Sequence, residues 1–150
     1  MKKEDLLLLD NQLCFPLYVC AKEIVNAYTP YLAELDLTYT QYIAMLVMWE
    51  EKKVLTKRLK ERLYLDSGTL TPVLKKLEEK GLIERERSEE DARDLVVTLT
   101  EKGAKLKDSA LSVPEKVGAC ICDLDGTAEL QQLLTRMMEI MKEKRAKSGK

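Results

Sequence analysis

The chain contains stretches in which apolar residues recur every three or four positions and stretches in which they alternate with polar ones. The first spacing is typical of a helix with one buried face, and the second is typical of a strand. The predicted fold class is therefore mainly α with a small β hairpin. Helices are predicted over residues 13–35, 38–49, 55–63, about 69–80, from 100 onward and about 128–144, and strands over 82–87 and 95–99.

Capping residues and helix breakers indicate where these elements begin and end. Thr38 and Thr56 are expected to cap the second and third helices, and Thr127 the last, because a threonine hydroxyl accepts a free backbone N–H. Pro30 is expected to break or kink the first helix, since proline has no backbone N–H to donate. Gly81 is expected to end the fourth helix in the left-handed conformation that glycine adopts at little cost.

The stretch 65–77 joins a polar front end to an apolar repeat. The apolar repeat predicts a helix with one buried face and consists of Leu70, Val73, Leu74 and Leu77. Asp66 or Ser67 can cap its first turn, and Pro72 is expected to cost few backbone bonds there. A helix tip that presents hydroxyls and free amides is suited to phosphates and base edges, so we interpret this stretch as a DNA-recognition helix.

The order of the elements around the recognition helix predicts a winged helix-turn-helix. A short helix at 55–63 and a turn precede it, and a hairpin at 82–99 follows it as the wing. We assign this unit to residues 38–100 of a single domain spanning 1–150. The flanking helical regions, 1–35 and 104–145, carry more apolar surface than such a core hides, which predicts that they pair in a homodimer. A symmetric dimer would match a pseudo-palindromic operator in double-stranded DNA.

Composition narrows the function. The net charge is −1, yet residues 52–93 hold 12 Lys and Arg against 9 Asp and Glu, a local excess that fits a DNA-facing surface. The chain lacks histidine, the commonest metal ligand and general base, so we predict neither an enzyme nor a metal or other cofactor. The apolar runs are too short for a membrane span, and the start lacks the features of a signal peptide. We therefore expect a cytoplasmic protein with reduced cysteines.

The predicted DNA-binding residues lie at the tip of the recognition helix, along its length and in the hairpin. Hydroxyls and amides can position a helix on phosphates, and an arginine at a hairpin tip suits a narrow minor groove. The alternative is a small protein whose hairpin charges are only solvated. The set comprises Asp66, Ser67, Thr69, Thr71, Lys75, Lys76, Arg85, Arg87, Asp91 and Arg93.

Cys14 is a candidate reactive thiol because it lies near the predicted N-terminus of the first helix. A helix N-terminus stabilises the negative charge of a thiolate, which is the reactive form of cysteine. Attack on a peroxide gives a sulfenic acid, and a second thiol converts this acid to a disulfide. The alternative is that Cys14 is a small buried apolar residue, as we expect for Cys20.

Several motifs resemble a known family. Asp91-x-Arg93 followed by Leu99-Thr100-Glu101-x-Gly103 is similar to the wing region of the MarR-type winged-helix regulators. Three further runs resemble the branch of that family, OhrR, that senses organic hydroperoxides: Asn11-Gln12-Leu13-Cys14-Phe15, Thr38-Tyr39-x-Gln41-Tyr42 and Tyr64-Leu65-Asp66-Ser67-Gly68-Thr69-Leu70-Thr71-Pro72. The resemblance covers nearly all of the chain and is weakest after Lys107.

The resemblance implies a sensing pocket. In that branch two tyrosine hydroxyls hold the sensing cysteine, and the matching residues here are Tyr28 and Tyr39, with Phe15 and Tyr18 close to Cys14. Phenol donors favour the charged form of a thiolate, and apolar walls favour an organic hydroperoxide over hydrogen peroxide. The resemblance further implies a repressor that releases its operator when Cys14 is oxidised.

The remaining cysteines bear on how oxidation is completed. One sub-type of the branch has a resolving cysteine after the wing, which forms a disulfide between subunits. Cys120 lies about where that cysteine is expected, and Cys122 is the reserve candidate. The other sub-type has a single cysteine and uses a small thiol instead.

Three other functions stay open from the residues. A repressor of the same fold could respond to a small aromatic ligand rather than to oxidation. A thiol peroxidase could use Cys14 catalytically, and a purely structural helical dimer would need only the apolar end helices.

Overall fold

The computed structural model describes residues 3–89, 94–121 and 126–147. Two short 3₁₀ segments, Lys3–Leu7 and Leu9–Asn11, come first. The helices are α1 (Cys14–Ala33), α2 (Tyr39–Glu51), α3 (Thr56–Leu63), α4 (Ser67–Glu79), α5 (Glu101–Ala110), α6 (Ser112–Ile121) and α7 (Thr127–Lys147), and the strands are β1 (Lys53–Leu55), β2 (Ile83–Arg87) and β3 (Leu95–Leu99). The prediction of a mainly α fold with a small hairpin is confirmed.

The chain forms two compact units, residues 1–115 and 116–150. The first contains α1 to α5 and the sheet, and its core lies where α2, α3, α4 and the sheet meet. The second contains most of α6 and all of α7. Fully buried side chains in the core of the first unit include Met45, Met48, Leu59, Leu70, Leu74, Leu77, Ile83 and Val97.

The three strands form an antiparallel sheet in the order β1-β3-β2. Val97 of β3 lies opposite Val54 of β1 and Arg85 of β2. The wing strands were predicted, whereas β1 was not, because three residues are too few to show an alternating pattern. Lys52, which precedes β1, has a left-handed backbone (φ 60°) that turns the chain directly from α2 into the sheet.

The helix ends follow the predicted signals in part. Thr38 forms a full capping box with Gln41, as expected for the start of α2. The chain after α4 forms a left-handed turn at Gly81 (φ 69°), with the N–H groups of Gly81 and Leu82 bonded to the carbonyls of Glu78 and Leu77.

Three expectations about helix ends were wrong. Thr56 does not cap α3 but donates its hydroxyl to the carbonyl of Leu95 (3.0 Å). α1 continues through Pro30 to Ala33 without a break, because Pro30 lies so near its end that one missing bond is tolerated. α7 begins at Thr127 itself rather than after it. The expectation for Pro72 agrees with the structure: α4 begins at Ser67, so Pro72 is its sixth residue and leaves only one carbonyl without its helical N–H donor.

Candidate nucleic-acid interface and thiol site

The exposed side of α4 presents small polar and basic residues. The carboxylate of Asp66 caps the helix by accepting the N–H of Thr69 (2.8 Å), and this hydrogen bond holds the pKa of Asp66 below its ordinary value. Because Leu70, Leu74 and Leu77 face the core, the opposite side is left to solvent. The predicted DNA-binding residues on this exposed side are Ser67, Thr69, Thr71, Lys75 and Lys76.

The contacts of these side chains leave the helix face open. The Lys60 ammonium, on α3, donates to the Ser67 hydroxyl (3.2 Å) and so links the two helices of the helix-turn-helix. Lys75 pairs with Glu79 one turn away (3.8 Å), and both side chains are exposed. An exposed pair of this kind contributes little to stability, so Lys75 can exchange Glu79 for a phosphate.

Two arginines in the described part of the wing differ in their surroundings. Arg87, at the end of β2, is exposed. Arg85 instead donates from its side chain and its backbone N–H to the carboxylate of Glu78, on α4. Arg85 therefore joins the wing to the recognition helix, and its contact with DNA stays a prediction. Asp91 and Arg93 lie outside the described residues.

Two contacts that we did not predict hold α3 in place. The helix begins after Leu55, which has no capping side chain, and the carboxylate of Asp94 accepts the N–H of Lys57 (3.4 Å). A helix start without its own cap needs such an acceptor from elsewhere. At the other end of α3, the guanidinium of Arg62 donates to Glu51 (2.6 Å) and Glu50 (2.8 Å) of α2. No signal in the sequence identified either contact, because Thr56 was the expected cap of α3.

Cys14 is the first residue of α1 and is exposed. Side-chain amides of the preceding segment form hydrogen bonds to its own backbone carbonyls. Asn11 donates from its side chain to the carbonyl of Asp5 (2.7 Å), and Gln12 donates to the carbonyls of Leu6 (2.5 Å) and Leu8 (3.2 Å). These bonds give a local reason for amide side chains immediately before the cysteine, since they fix the chain at the helix start.

The neighbourhood of Cys14 in this chain is open. Phe15 and Tyr18, the predicted pocket residues on the same helix, are exposed. Cys20 is exposed as well, so the expectation that it belongs to the core was wrong for the single chain.

An aromatic cluster forms where the end of α1 meets the start of α2. The ring of Tyr28 packs edge to face on Tyr39 (5.3 Å between centroids) and lies 5.8 Å from Tyr42. Burial first, and the neighbouring Tyr28 second, raise the pKa of Tyr39 above its ordinary value. Tyr39 therefore stays a neutral phenol that can donate a hydrogen bond.

The structure brings Tyr28 and Tyr39 together but does not bring Cys14 to them within one chain. Cys14 and Tyr28 are both on α1, which is helical throughout between them. Fourteen residues of helix at 1.5 Å each separate their backbones by about 21 Å. The predicted pocket is therefore not assembled by a single subunit.

The structure places the two candidate resolving cysteines only in part. Cys120 is in α6, with its side chain outside the described set, and Cys122 lies outside the described residues.

Within the described parts, no group of three Cys, Asp or Glu residues is arranged to hold a metal ion. No helix in these parts is long and apolar enough to cross a membrane.

Comparison with known proteins agrees with this geometry. The family model for the transcriptional regulators SarA and Rot matches residues 26–110. The organic hydroperoxide resistance transcriptional regulator of Bacillus subtilis (strain 168) is 43% identical over 143 residues, which are 95% of this chain and 97% of the relative. The regulator SarZ of Staphylococcus haemolyticus (strain JCSC1435) is 49% identical over 109 residues, 73% of this chain and 74% of the relative.

Solved structures show the same architecture. AbfR of Staphylococcus epidermidis, in its overoxidized form bound to DNA, aligns with a TM-score of 0.75 at 33% identity, over 93% of this chain and 98% of AbfR. The extent of these matches, together with the winged helix and its exposed recognition helix, identifies the chain as a member of the MarR/SarA family of winged-helix transcriptional regulators.

Proposed function

We propose that this protein is a transcriptional repressor that binds its operator when reduced and releases it after an organic hydroperoxide oxidises Cys14. The observation that carries this proposal is an exposed cysteine at the first position of α1 in a chain that also presents a polar recognition helix. The Bacillus subtilis relative, whose name gives it organic hydroperoxide resistance, supports this trigger. The protein acts as a regulator rather than as an enzyme, in the cytoplasm, where thiols are kept reduced.

The repressor works as a homodimer. Large apolar side chains are exposed at Leu13, just before α1, and at Val19 and Ile24 within it. They are also exposed along α7, including Leu133, Met138 and Met141. Apolar surface of this extent on a water-soluble chain is usually covered by a partner. Pairing through the regions 1–35 and 104–145 covers it and sets two copies of α4 about 34 Å apart, one turn of a DNA duplex.

The dimer also completes the sensing pocket. Because about 21 Å of helix separates Cys14 from Tyr28 in one chain, the two can meet only between subunits. Cys14 of one subunit then faces the Tyr28 and Tyr39 pair of its partner, with Phe15 and Tyr18 as apolar walls. The two phenols donate hydrogen bonds to the thiolate and favour its charged form.

The chemistry needs one peroxide and one further thiol. The thiolate of Cys14 attacks the terminal oxygen of the hydroperoxide, so an S–O bond forms while the O–O bond breaks. The leaving alkoxide takes a proton and departs as an alcohol, and Cys14 becomes a sulfenic acid. The thiolate of Cys120 in the partner subunit then attacks this sulfur and displaces hydroxide, which leaves as water. Cys122 or a small thiol is the alternative nucleophile.

Disulfide formation changes the dimer. The Cα atoms of bonded cysteines lie about 4.4–6.8 Å apart, so sulfurs that start further apart must draw their helices together. The spacing of the two α4 helices then no longer fits the operator. In the reduced state, Ser67, Thr69, Thr71, Lys75 and Lys76 contact the DNA, and the wing contributes Arg87 and Arg93.

Fluorescence anisotropy of the reduced protein on its upstream DNA, before and after stoichiometric cumene hydroperoxide, tests the proposal. The wild type should release the DNA and rebind it after dithiothreitol. Cys14→Ser should bind with the same affinity and ignore peroxide. Cys20→Ser is the matched control, since this thiol is exposed on the same helix, and it should respond like the wild type. Release from Cys14→Ser would exclude Cys14 as the sensor.

A small aromatic ligand is the second candidate trigger, and a specific feature favours it. An open cleft of about 300 Å³ is lined by Tyr42, Leu46, Trp49, Lys107 and Leu111, among others. Its wall is mostly apolar and carries one ammonium, that of Lys107, and one carboxylate, that of Glu50, which suits a small aromatic ligand. Release by salicylate from both the wild type and Cys14→Ser, with indifference to peroxide, would favour this trigger.

A further inference from the structure

One lysine ties the end of the recognition helix to the turn between α1 and α2. The ammonium of Lys80, the residue after α4, donates to the backbone carbonyl of Asp36 and to the side-chain oxygen of Gln41 (3.3 Å). It also lies 3.1 Å from the carboxylate of Asp36, and the Lys80 side chain is 26% exposed. Its positive charge is thus engaged inside the fold.

Gln41 shares this contact with the cap of α2. The same amide oxygen accepts the N–H of Thr38 (3.1 Å), while the Thr38 hydroxyl accepts the N–H of Gln41 (3.3 Å). Gln41 is only 3% exposed, so water cannot easily replace a missing partner. A movement of the first turn of α2 therefore changes the surroundings of the Lys80 ammonium.

Tyr39 belongs to this same turn of helix. It lies between Thr38 and Gln41, and its ring packs on Tyr28. The capping box fixes the turn as a unit, so a shift of the Tyr39 backbone also moves Gln41. The aromatic cluster and the Lys80 contact are joined through a single helical turn.

The backbone at the end of α4 is held from another direction. The Lys102 ammonium donates to the carbonyl of Lys80 (2.6 Å), and the Thr100 hydroxyl donates to the carbonyl of Gly81 (2.7 Å). On the side of the Lys80 side chain, an open cleft of about 530 Å³ is lined by the α1–α2 turn and by the last turn of α4. Lys80 spans this cleft, so its charge connects two elements that are not tightly packed there.

We propose that Lys80 is a positioning residue that couples the tyrosine pocket to the recognition helix. The inference rests on the proposed function, because it takes Tyr39 as part of the pocket and α4 as the DNA-reading helix. Lys80 holds the end of α4 against the first turn of α2, and a displacement of Tyr39 is passed through Gln41 and Asp36 to α4. Thermodynamic linkage then requires that operator binding alters the pocket in return.

The test measures the effect of operator binding on the tyrosine pocket, without peroxide. The rate at which iodoacetamide alkylates Cys14 is followed by mass spectrometry of the Cys14 peptide, with saturating operator or a non-operator duplex. Lys80→Met removes the ammonium, and Lys105→Met is the control, because Lys105 is 73% exposed on α5 and pairs with Glu101. Operator should change the rate about threefold or more in the wild type and the control, and leave Lys80→Met unchanged.

Two further variants sharpen the result. Lys80→Arg can reach the same oxygens and should restore the operator response. Asp36→Asn serves if Lys80→Met does not fold, because asparagine accepts the left-handed backbone at this position (φ 53°). It removes the charge of one Lys80 partner and should reduce the operator response.

Each result that would overturn the proposal can be told apart in these measurements. A wild-type operator response in Lys80→Met, or no response in the wild type, overturns the proposal. If Lys80 contacts phosphate directly, Lys80→Met will make the salt dependence of binding shallower by about 0.9 and keep the Cys14 response, which also overturns it. Failure of the proposed function is read separately, as operator affinity that does not change with hydroperoxide.

Discussion

The guanidinium of Arg85, on the first wing strand, forms a two-pronged contact with the carboxylate of Glu78, on the recognition helix. Two side-chain nitrogens and the backbone N–H of Arg85 all donate to this carboxylate. The Arg85 side chain is 18% exposed, against 37% for Glu78. The contact fixes the angle between wing and helix, the two parts that must meet one DNA duplex together.

Arg85 and Arg87, two residues apart on β2, should respond differently to truncation. Arg85→Ala should lower the free energy of unfolding by about 1 kcal/mol, because Glu78 stays partly open to water. It should weaken operator binding without changing the salt slope. Arg87→Ala should leave stability unchanged and make the slope shallower by about 0.9 for each phosphate that the protein no longer neutralises. Urea unfolding and anisotropy from about 50 to 200 mM salt measure both.

A shallower salt slope for Arg85→Ala would place Arg85 on the DNA after all. An unchanged slope for Arg87→Ala would mean that Arg87 does not bind a phosphate.

The pH dependence of stability should report the Glu78 contact. The hydrogen bond from Arg85 holds the pKa of Glu78 below its ordinary value. A carboxylate with a lowered folded pKa stabilises the fold above its unfolded pKa of about 4.3, and this contribution is lost as pH falls through the folded pKa. Glu78→Gln should thus be less stable than the wild type near neutral pH, and the difference should shrink as the pH falls below about 4.3 and through the folded pKa. Urea unfolding across this range tests it, and a constant difference would contradict it.

Much of the winged helix could be predicted because its signals are local. The apolar repeat in α4, the Thr38 cap and the alternation in β2 and β3 each lie within a few residues of sequence. The role of Arg85 could not be predicted, because its partner Glu78 is brought close only by the reversal of the chain at Gly81. Contacts between distant residues, such as Asp94 with Lys57, left an equally weak trace.

The thiol site shows a different limit. The sequence indicated Cys14 and its position at a helix start, and the structure places it there. The separation of Cys14 from Tyr28 was already contained in the predicted helix over 13–35, since helix length follows from residue number. In the proposed homodimer a partner subunit would close this gap and cover the exposed side chains of Phe15 and Tyr18.

Gly103 should tolerate no side chain, which explains the glycine in the motif after the wing. An added Cβ would lie 2.8 Å from Cδ1 of Leu99 and still closer to the backbone carbonyl of Leu82. The carbonyl of Gly103 also accepts the indole N–H of Trp49 (2.8 Å), which holds α5 against α2. Gly103→Ala should therefore cost about 3 kcal/mol or more of unfolding free energy.

Gly68→Ala is the matched control for this substitution. Its Cβ would meet Asp66 Oδ1 at 3.2 Å on an exposed helix, and alanine favours helix, so stability should change by less than about 1 kcal/mol. Equal effects of the two substitutions in urea unfolding would show that packing at Gly103 is not the cause.

Mixed dimers should reveal that the sensing pocket is shared between subunits. A dimer of one Cys14→Ser chain and one Tyr28→Phe chain, purified through two different tags, contains a single Cys14. If this cysteine faces Tyr28 of the partner subunit, it meets an intact tyrosine and should be oxidised by cumene hydroperoxide at the wild-type rate. Dimers in which both chains carry Tyr28→Phe should react more slowly, by about tenfold for a missing hydrogen bond to a charged group. Mass spectrometry of the Cys14 peptide gives both rates. A mixed dimer as slow as the double Tyr28→Phe dimer would mean that Cys14 does not use the partner's tyrosine.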